Sequence, residues 1–169
     1  MIRDLAKKLT AFDEFVGTVI AELEFQRGLF TPRAEIVKVH SAMILLRVSS
    51  SQAELSVKLI RPRVEIKAAI GCRIQSSKKI WRVFTASEVL DFVTEIGDQN
   101  KIHRLNPPIV PGLLILEVLL SCPEFSSCQK IKIKFKNFIT AGEPLTLQGI
   151  GNKFEINSAG VRKLLITVG

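Results

Sequence analysis

The 169-residue sequence predicts an α+β fold in which an antiparallel sheet wraps around a central apolar helix. Residues 113–120 read Leu-Leu-Ile-Leu-Glu-Val-Leu-Leu. A helix apolar on almost every side has to be buried on almost every side. Around it lie segments that alternate with period two, the mark of half-buried strands. Ile131, Ile133 and Phe135, set between Lys130, Lys132, Lys134 and Lys136, are the clearest of these. Finally, the order of elements repeats: each half of the chain reads as an apolar helix followed by strands.

The first helix is expected from about Arg3 to Gln26, on a stripe of Leu5, Leu9, Phe12, Val16, Val19, Ile20 and Leu23, with Gly28 and Pro32 ending it. Strands follow near 34–48, 53–60 and 63–70. Leu55, Val57 and Leu59 alternate with Glu54, Ser56 and Lys58, and Val64 and Ile66 alternate with Arg63, Glu65 and Lys67. Residues 75–79 read as a polar linker. The chain therefore divides into an N-terminal half, 1–75, and a second half, 80–169.

The second half opens with a short strand at 80–84. Thr85 and Glu88 have capping-box spacing. Val89, Phe92, Val93 and Ile96 then repeat at helical spacing, and Gly97 stands where a helix stops. The apolar helix runs from about Pro111 to Ser121, proline being tolerated at a helix entrance because the first amide has no partner. Strands near 130–138, 144–150, 153–157 and 161–168 complete the half.

Composition narrows the function classes. Hydrophobic residues make up 47% of the chain, ample for a globular core. There is no uninterrupted apolar run long enough to span a bilayer, and the charged N-terminus lacks the apolar region of a signal peptide. Cys72, Cys122 and Cys128 are odd in number and form no C-x-x-C, which suits a reducing cytoplasm and argues against a disulfide framework or a zinc site. No glycine-rich phosphate loop or G-x-S-x-G elbow occurs, and no metal or bound cofactor is expected. The formal charge of +8 admits an anionic partner. With no recognised nucleic-acid motif and Trp81 as the sole tryptophan, nucleic acid is not favoured.

The candidate chemistry lies between the two helices of the second half, in Gly97-Asp98-Gln99-Asn100-Lys101-Ile102-His103. A carboxylate and a neutral imidazole on one short loop can share a water molecule, one group accepting a proton while the other orients the water or returns the proton. The same residues also make good turn chemistry. Glu117 is the single charge in the apolar helix. It either serves the site with a raised pKa or turns to an edge and pairs with a lysine.

Gly97 to His103 resembles the G-D-x-N-P-x-H signature of MaoC-like R-specific enoyl-CoA hydratases, with Lys101 where that family usually has proline. The run His103-Arg-Leu-Asn-Pro-Pro-Ile-Val-Pro-Gly112 resembles the H-F-P-G-x-P-x-x-P-G pattern of β-hydroxyacyl-acyl-carrier-protein dehydratases. His103, Pro108, Pro111 and Gly112 are in register with it, while the F-P-G is replaced. The resemblance covers about Thr85 to Leu120. It implies a hotdog fold, and the tandem layout suggests a double hotdog whose N-terminal half has lost its motif. One hotdog with an N-terminal extension that dimerises through its sheet is the alternative.

The resemblance further implies reversible hydration of an acyl thioester carried on CoA or on acyl carrier protein. Asp98 and His103 would be catalytic, Glu117 replacing or assisting Asp98. Asn100 would fix the loop beside the substrate, and Gly112 would offer its amide to the thioester. The lysine ladder of Lys132, Lys134 and Lys136 would dock an anionic carrier, or would simply be a solvated or guarded edge. The rival readings are a non-catalytic hotdog partner that supports a catalytic subunit or holds an acyl chain, and a thioesterase. Association through hotdog sheets, without membrane insertion, is expected.

Overall fold

In the computed structural model, which describes residues 1–62 and 79–169, nine strands form one continuous sheet. In chain order the elements are α1 (Ile2–Thr10), β1 (Val19–Arg27), β2 (Arg33–His40), β3 (Met43–Ser49), β4 (Ala53–Ile60), β5 (Arg82–Val83), α2 (Ala86–Ile96), α3 (Gly112–Ser121), α4 (Pro123–Ser126), β6 (Lys130–Phe135), β7 (Pro144–Ile150), β8 (Lys153–Ser158) and β9 (Val161–Val168). The strand order is β2-β3-β4-β1-β6-β9-β8-β7-β5, and every pairing is antiparallel. The expected strand at 63–70, Cys72 and most of the expected linker lie outside the described residues.

The long N-terminal helix is not formed. α1 stops at Thr10, a 3-10 turn covers Asp13–Phe15, and Gly17 takes a φ of +74° before β1 begins. The apolar stripe misleads because positions four apart satisfy a period of 3.6 and a period of two alike. Val19 and Leu23 fit both. What decides is pairing: β1 has β4 on one side and β6 on the other, so its backbone groups are satisfied by neighbours distant in sequence. Leu23 and Phe25 then point into the core while Glu22 and Glu24 point outward.

Smaller differences have local causes. The expected strand at 34–48 is a hairpin, β2 and β3, turning at Ser41 and Ala42. β6 ends at Phe135, since the amides of Lys136 and Asn137 both donate to the carbonyl of Lys163 rather than continuing the ladder in register.

α2 matches its sequence reading closely. The Thr85 hydroxyl accepts from the Glu88 amide, the Glu88 carboxylate accepts from the Thr85 amide, and Gly97 closes the helix at φ +72°. α3 is buried along most of its length. Leu113, Ile115, Leu116 and Leu119 share one core with Leu23 and Phe25 of β1, Ile131 and Ile133 of β6, and Leu164 and Ile166 of β9.

The lysine ladder does not guard an edge. β6 lies in the interior of the sheet, beside β1, and each outward lysine faces an outward polar residue there. Lys130 pairs with Glu24 at 2.7 Å and Lys132 with Glu22 at 2.8 Å, while Lys134 lies 3.9 Å from Glu22.

Replacing Leu116, which is fully buried, with alanine should lower the unfolding free energy by roughly 2–5 kcal/mol. Denaturant titration by circular dichroism measures it.

Candidate active site

Asp98 leaves α2 just beyond the glycine that ends it, and its amide donates back to the carbonyl of Val93 at 2.9 Å. Its Oδ1 accepts from the amide of Asn100 at 2.8 Å, the self-bonded turn that the sequence suggested. The Asn100 side chain reaches across to the N-terminal half. Its Oδ1 accepts from the amide of Gly17 at 2.8 Å and its Nδ2 donates to the carbonyl of Phe15 at 3.1 Å. Both ends of the amide are thus spent on backbone, so Asn100 ties the loop in place. Arg104 closes the loop from outside, donating to the carbonyls of Asp98 at 3.0 Å and Asn100 at 3.4 Å.

His103 sits on the 3-10 turn Lys101–Arg104. Its Nδ1 is 2.7 Å from the carbonyl oxygen of Ile109. A carbonyl can only accept, so Nδ1 carries the hydrogen and, in the neutral ring, Nε2 carries the lone pair. Nε2 lies 3.4 Å from Oδ2 of Asp98. Asp98, Asn100 and His103 are all buried. Burial is the largest influence on the imidazole and draws its pKa below the usual value; the Asp98 carboxylate and the Ile109 carbonyl push it back up, and Arg104 lowers it further. A neutral imidazole and a carboxylate are both acceptors at the point where they meet. A group with two hydrogens to give, such as water, is what this pair can hold.

The pair borders a cleft of about 230 Å³. The motif loop forms one wall, the first turn of α3 another, and residues 135–139 a third; Phe15, Thr18 to Ala21 and Ile60 come from the N-terminal half. The lining is largely apolar. Gly112 earns its place sterically. A Cβ there would fall 2.7 Å from Cζ of Phe135, so glycine lets α3 start against that ring without displacing it. Pro111 provides no side-chain cap, and the first-turn amides of a helix lack partners within it.

Asp98, Asn100, His103, Gly112 and Lys136 therefore converge on one cleft. Glu117, Lys132 and Lys134 are not among its lining residues. Glu117 faces α1, where Arg3 grips it from Nε to Oε1 at 2.9 Å and from a terminal nitrogen to Oε2 at 3.1 Å. Arg3 also pairs with Glu95 and lies over the ring of Phe92. The only charge on α3 is thus used to join helices, with an arginine and not a lysine as its partner.

The contribution of Phe15, Gly17 and Thr18 was missed because those residues fell inside the expected helix. A signal was present: Gly17 would cost about 1 kcal/mol in a helix interior. Among the described residues no cluster of His, Cys, Asp and Glu is arranged to hold a metal ion, and no helix is long and apolar enough to cross a membrane.

The architecture has known counterparts. HtdX from Mycobacterium tuberculosis superposes with a TM-score of 0.61 at 15% identity, over 98% of this chain and 83% of that one. A MaoC-like dehydratase from Phytophthora capsici gives 0.53 at 13% identity, over 94% and 71%. An acyl-ACP thioesterase from Bacteroides thetaiotaomicron gives 0.52 at 11% identity, over 89% and 75%. At these identities the likeness establishes the hotdog fold and nothing finer. No protein-family model matches the chain, and no curated protein matches it.

The burial of His103 has a consequence for stability. With its folded pKa held below the unfolded value near 6.5, its contribution is fully present above that value and is lost as pH falls through the folded pKa. Unfolding free energy should therefore decline on acidification below about pH 6.5, and His103→Gln should flatten that part of the profile. Urea titrations across pH 4.5–8 check this.

Proposed function

We propose that this protein reversibly hydrates a trans-2-enoyl thioester, which run backward is dehydration of a 3-hydroxyacyl thioester. The observation that carries the reading is the buried pair of acceptors, His103 Nε2 and Asp98 Oδ2, 3.4 Å apart on the wall of an apolar cleft. The resemblance of residues 97–112 to hydratase and dehydratase motifs supports it, and the hotdog fold is compatible with it. Since one fold hosts several chemistries, the fold does not choose among them.

In this reading the acyl chain lies along the apolar walls. The thioester carbonyl meets the first-turn amides of α3 at Gly112, where the helix dipole favours the enolate-like charge that develops in the transition state. Asp98 and His103 hold a water molecule beside C3. Its oxygen bonds to C3 while one of its protons passes to the pair. A proton returned to C2 completes the addition, so water is consumed and the thioester is kept. His103 is suited to this because its imidazole is held neutral. Asn100 and Arg104 fix the loop. Glu117 has no part in the chemistry.

Of the three ladder lysines proposed to bind the carrier, Lys136 is the one best placed for it. It lines the cleft, is exposed, and has no ion-pair partner among the described residues, whereas Lys132 and Lys134 already face Glu22. CoA and acyl carrier protein both bring a phosphate on the pantetheine arm, which suits a lysine at this place. We also infer that residues 1–75 and 80–169 are two hotdog-like halves meeting at β1 and β6, the first without a motif. Among the described residues, the strand order β2-β3-β4-β1 repeats β7-β8-β9-β6 in chain sense, which supports this division.

One assay with crotonyl-CoA, following both loss of the enoyl absorbance and release of free thiol, tests the reading. Enoyl loss without thiol release is expected. Thiol release would make the protein a thioesterase, and inertness toward short and long enoyl thioesters would favour a non-catalytic partner. His103→Ala and Asp98→Asn should each lower the rate by about 10²–10⁴-fold. Glu117→Gln should leave it near the wild-type level, and a large loss there would return Glu117 to the site.

Lys136→Glu should raise KM with little change in kcat. It should also reduce the dependence of KM on salt, since exposed charges are screened over roughly 8–10 Å at physiological ionic strength. Steady-state kinetics at several salt concentrations reads this out.

A further inference from the structure

Glu143 and Lys163 form an ion pair of 2.6 Å with side chains only 14% and 13% exposed, well away from the motif in sequence. Neither lines the cleft. Both nevertheless hold the segment that does. Lys163 Nζ donates to the carbonyl of Phe138 at 2.8 Å, and the Lys163 carbonyl accepts from the amides of Lys136 at 2.8 Å and Asn137 at 3.2 Å. Oε2 of Glu143 accepts from the Thr140 amide at 3.1 Å. The side chains of the pair thus hold Phe138 and Thr140, while the backbone of residue 163 holds the start of the segment.

That segment is in turn bonded to the strand-like stretch that anchors His103. Ile109 and Thr140 form an antiparallel bridge. The amide of Val110 donates to Ile139 at 2.8 Å, and the amide of Ala141 donates to Pro108 at 2.9 Å. The residue fixed between those two bonds is Ile109, whose carbonyl accepts from His103 Nδ1 at 2.7 Å. A continuous series of short contacts leads from Lys163 through Glu143, Thr140 and Ile109 to the imidazole.

We propose that Glu143 and Lys163 are positioning residues: their ion pair sets the place of the Ile109 carbonyl and thereby holds His103 in the Nδ1–H tautomer, with Nε2 directed at Asp98. A half-buried pair with further bonds from both partners is suited to this task, because removing one side leaves the other charge unpaired and the segment loses its fixed register. The tautomer is set by the hydrogen bond that the other ring nitrogen makes, so a displaced carbonyl changes which nitrogen carries the lone pair.

The catalytic consequence rests on the hydratase reading, but the tautomer does not, and the two are measured separately. Nitrogen-15 NMR of the imidazole reports the tautomer directly. The chain has two histidines, and His103→Ala assigns the resonances against those of His40. Wild type should show His103 overwhelmingly as Nδ1–H. Lys163→Met and Glu143→Gln should each give a mixture of tautomers, and Lys163→Arg should restore the wild-type pattern. Glu143→Gln is the gentler change, since its amide oxygen can still accept from Thr140, and it decides the matter where Lys163→Met does not fold. In the crotonyl-CoA assay the same two variants should lose roughly ten- to a hundredfold in kcat with KM nearly unchanged. A folded Glu143→Gln protein with His103 still entirely Nδ1–H would overturn the proposal. Inertness of the wild type toward enoyl thioesters would defeat the hydratase reading while leaving the tautomer measurement to decide this one.

Discussion

Leu23 opposite Ile133 and Phe25 opposite Ile131 hold β1 against β6, and that pairing makes one sheet from segments more than a hundred residues apart. Its inward side chains belong to the same core as α3, and its outward side chains form the alternating Glu and Lys rows. Exposed ion pairs of this kind contribute little each, about 0–1 kcal/mol, so the apolar face supplies most of the attraction and the charges fix register. Because β1 is held there, the chain leading into it passes the motif loop. Phe15 and Gly17 meet Asn100, and Thr18 to Ala21 become part of the cleft wall. A shift of one residue in this pairing would turn Leu23 and Phe25 outward and would move the backbone that holds Asn100.

The site illustrates how buried polar groups are tolerated. Asp98, Asn100 and His103 are nearly inaccessible to solvent, and an unpaired polar group in such a place is costly. Each is bonded: Asp98 to the Asn100 amide, Asn100 to two backbone groups of the other half, and His103 to the Ile109 carbonyl. Only the facing atoms, Nε2 and Oδ2, are left to act on something else. Rigidity comes from the backbone partners, and the two uncommitted acceptors face each other across a single short gap.

Charge is used differently in two places where its pattern was equally conspicuous. Glu117 interrupts an otherwise apolar helix, yet its carboxylate receives Arg3 at the junction of α1, α2 and α3. Lys132 and Lys134 repeat like a docking ladder, yet they face the glutamates of the neighbouring strand. A charge in an apolar setting marks either a site or a partner from elsewhere in the chain, and the partner can be found only in three dimensions.

What the sequence determined by itself was local. The capping box at Thr85 and Glu88, the stop at Gly97, the self-bonded turn at Asp98 and Asn100, and the buried helix after Pro111 all depend on residues within a few positions of one another. So does the second half's strand alternation, and these features together were enough to bring Asp98 and His103 onto one loop. The tertiary structure alone decided the fate of residues 11–27. An apolar spacing of four is compatible with a helix and with a strand, and only the backbone partners offered by β4 and β6 select the strand. It also decided that Asn100 binds backbone, that Glu117 turns away, and that Ile109 orients the imidazole. Each of these is a contact between groups distant in sequence, whose energies appear only once the sheet has closed around them.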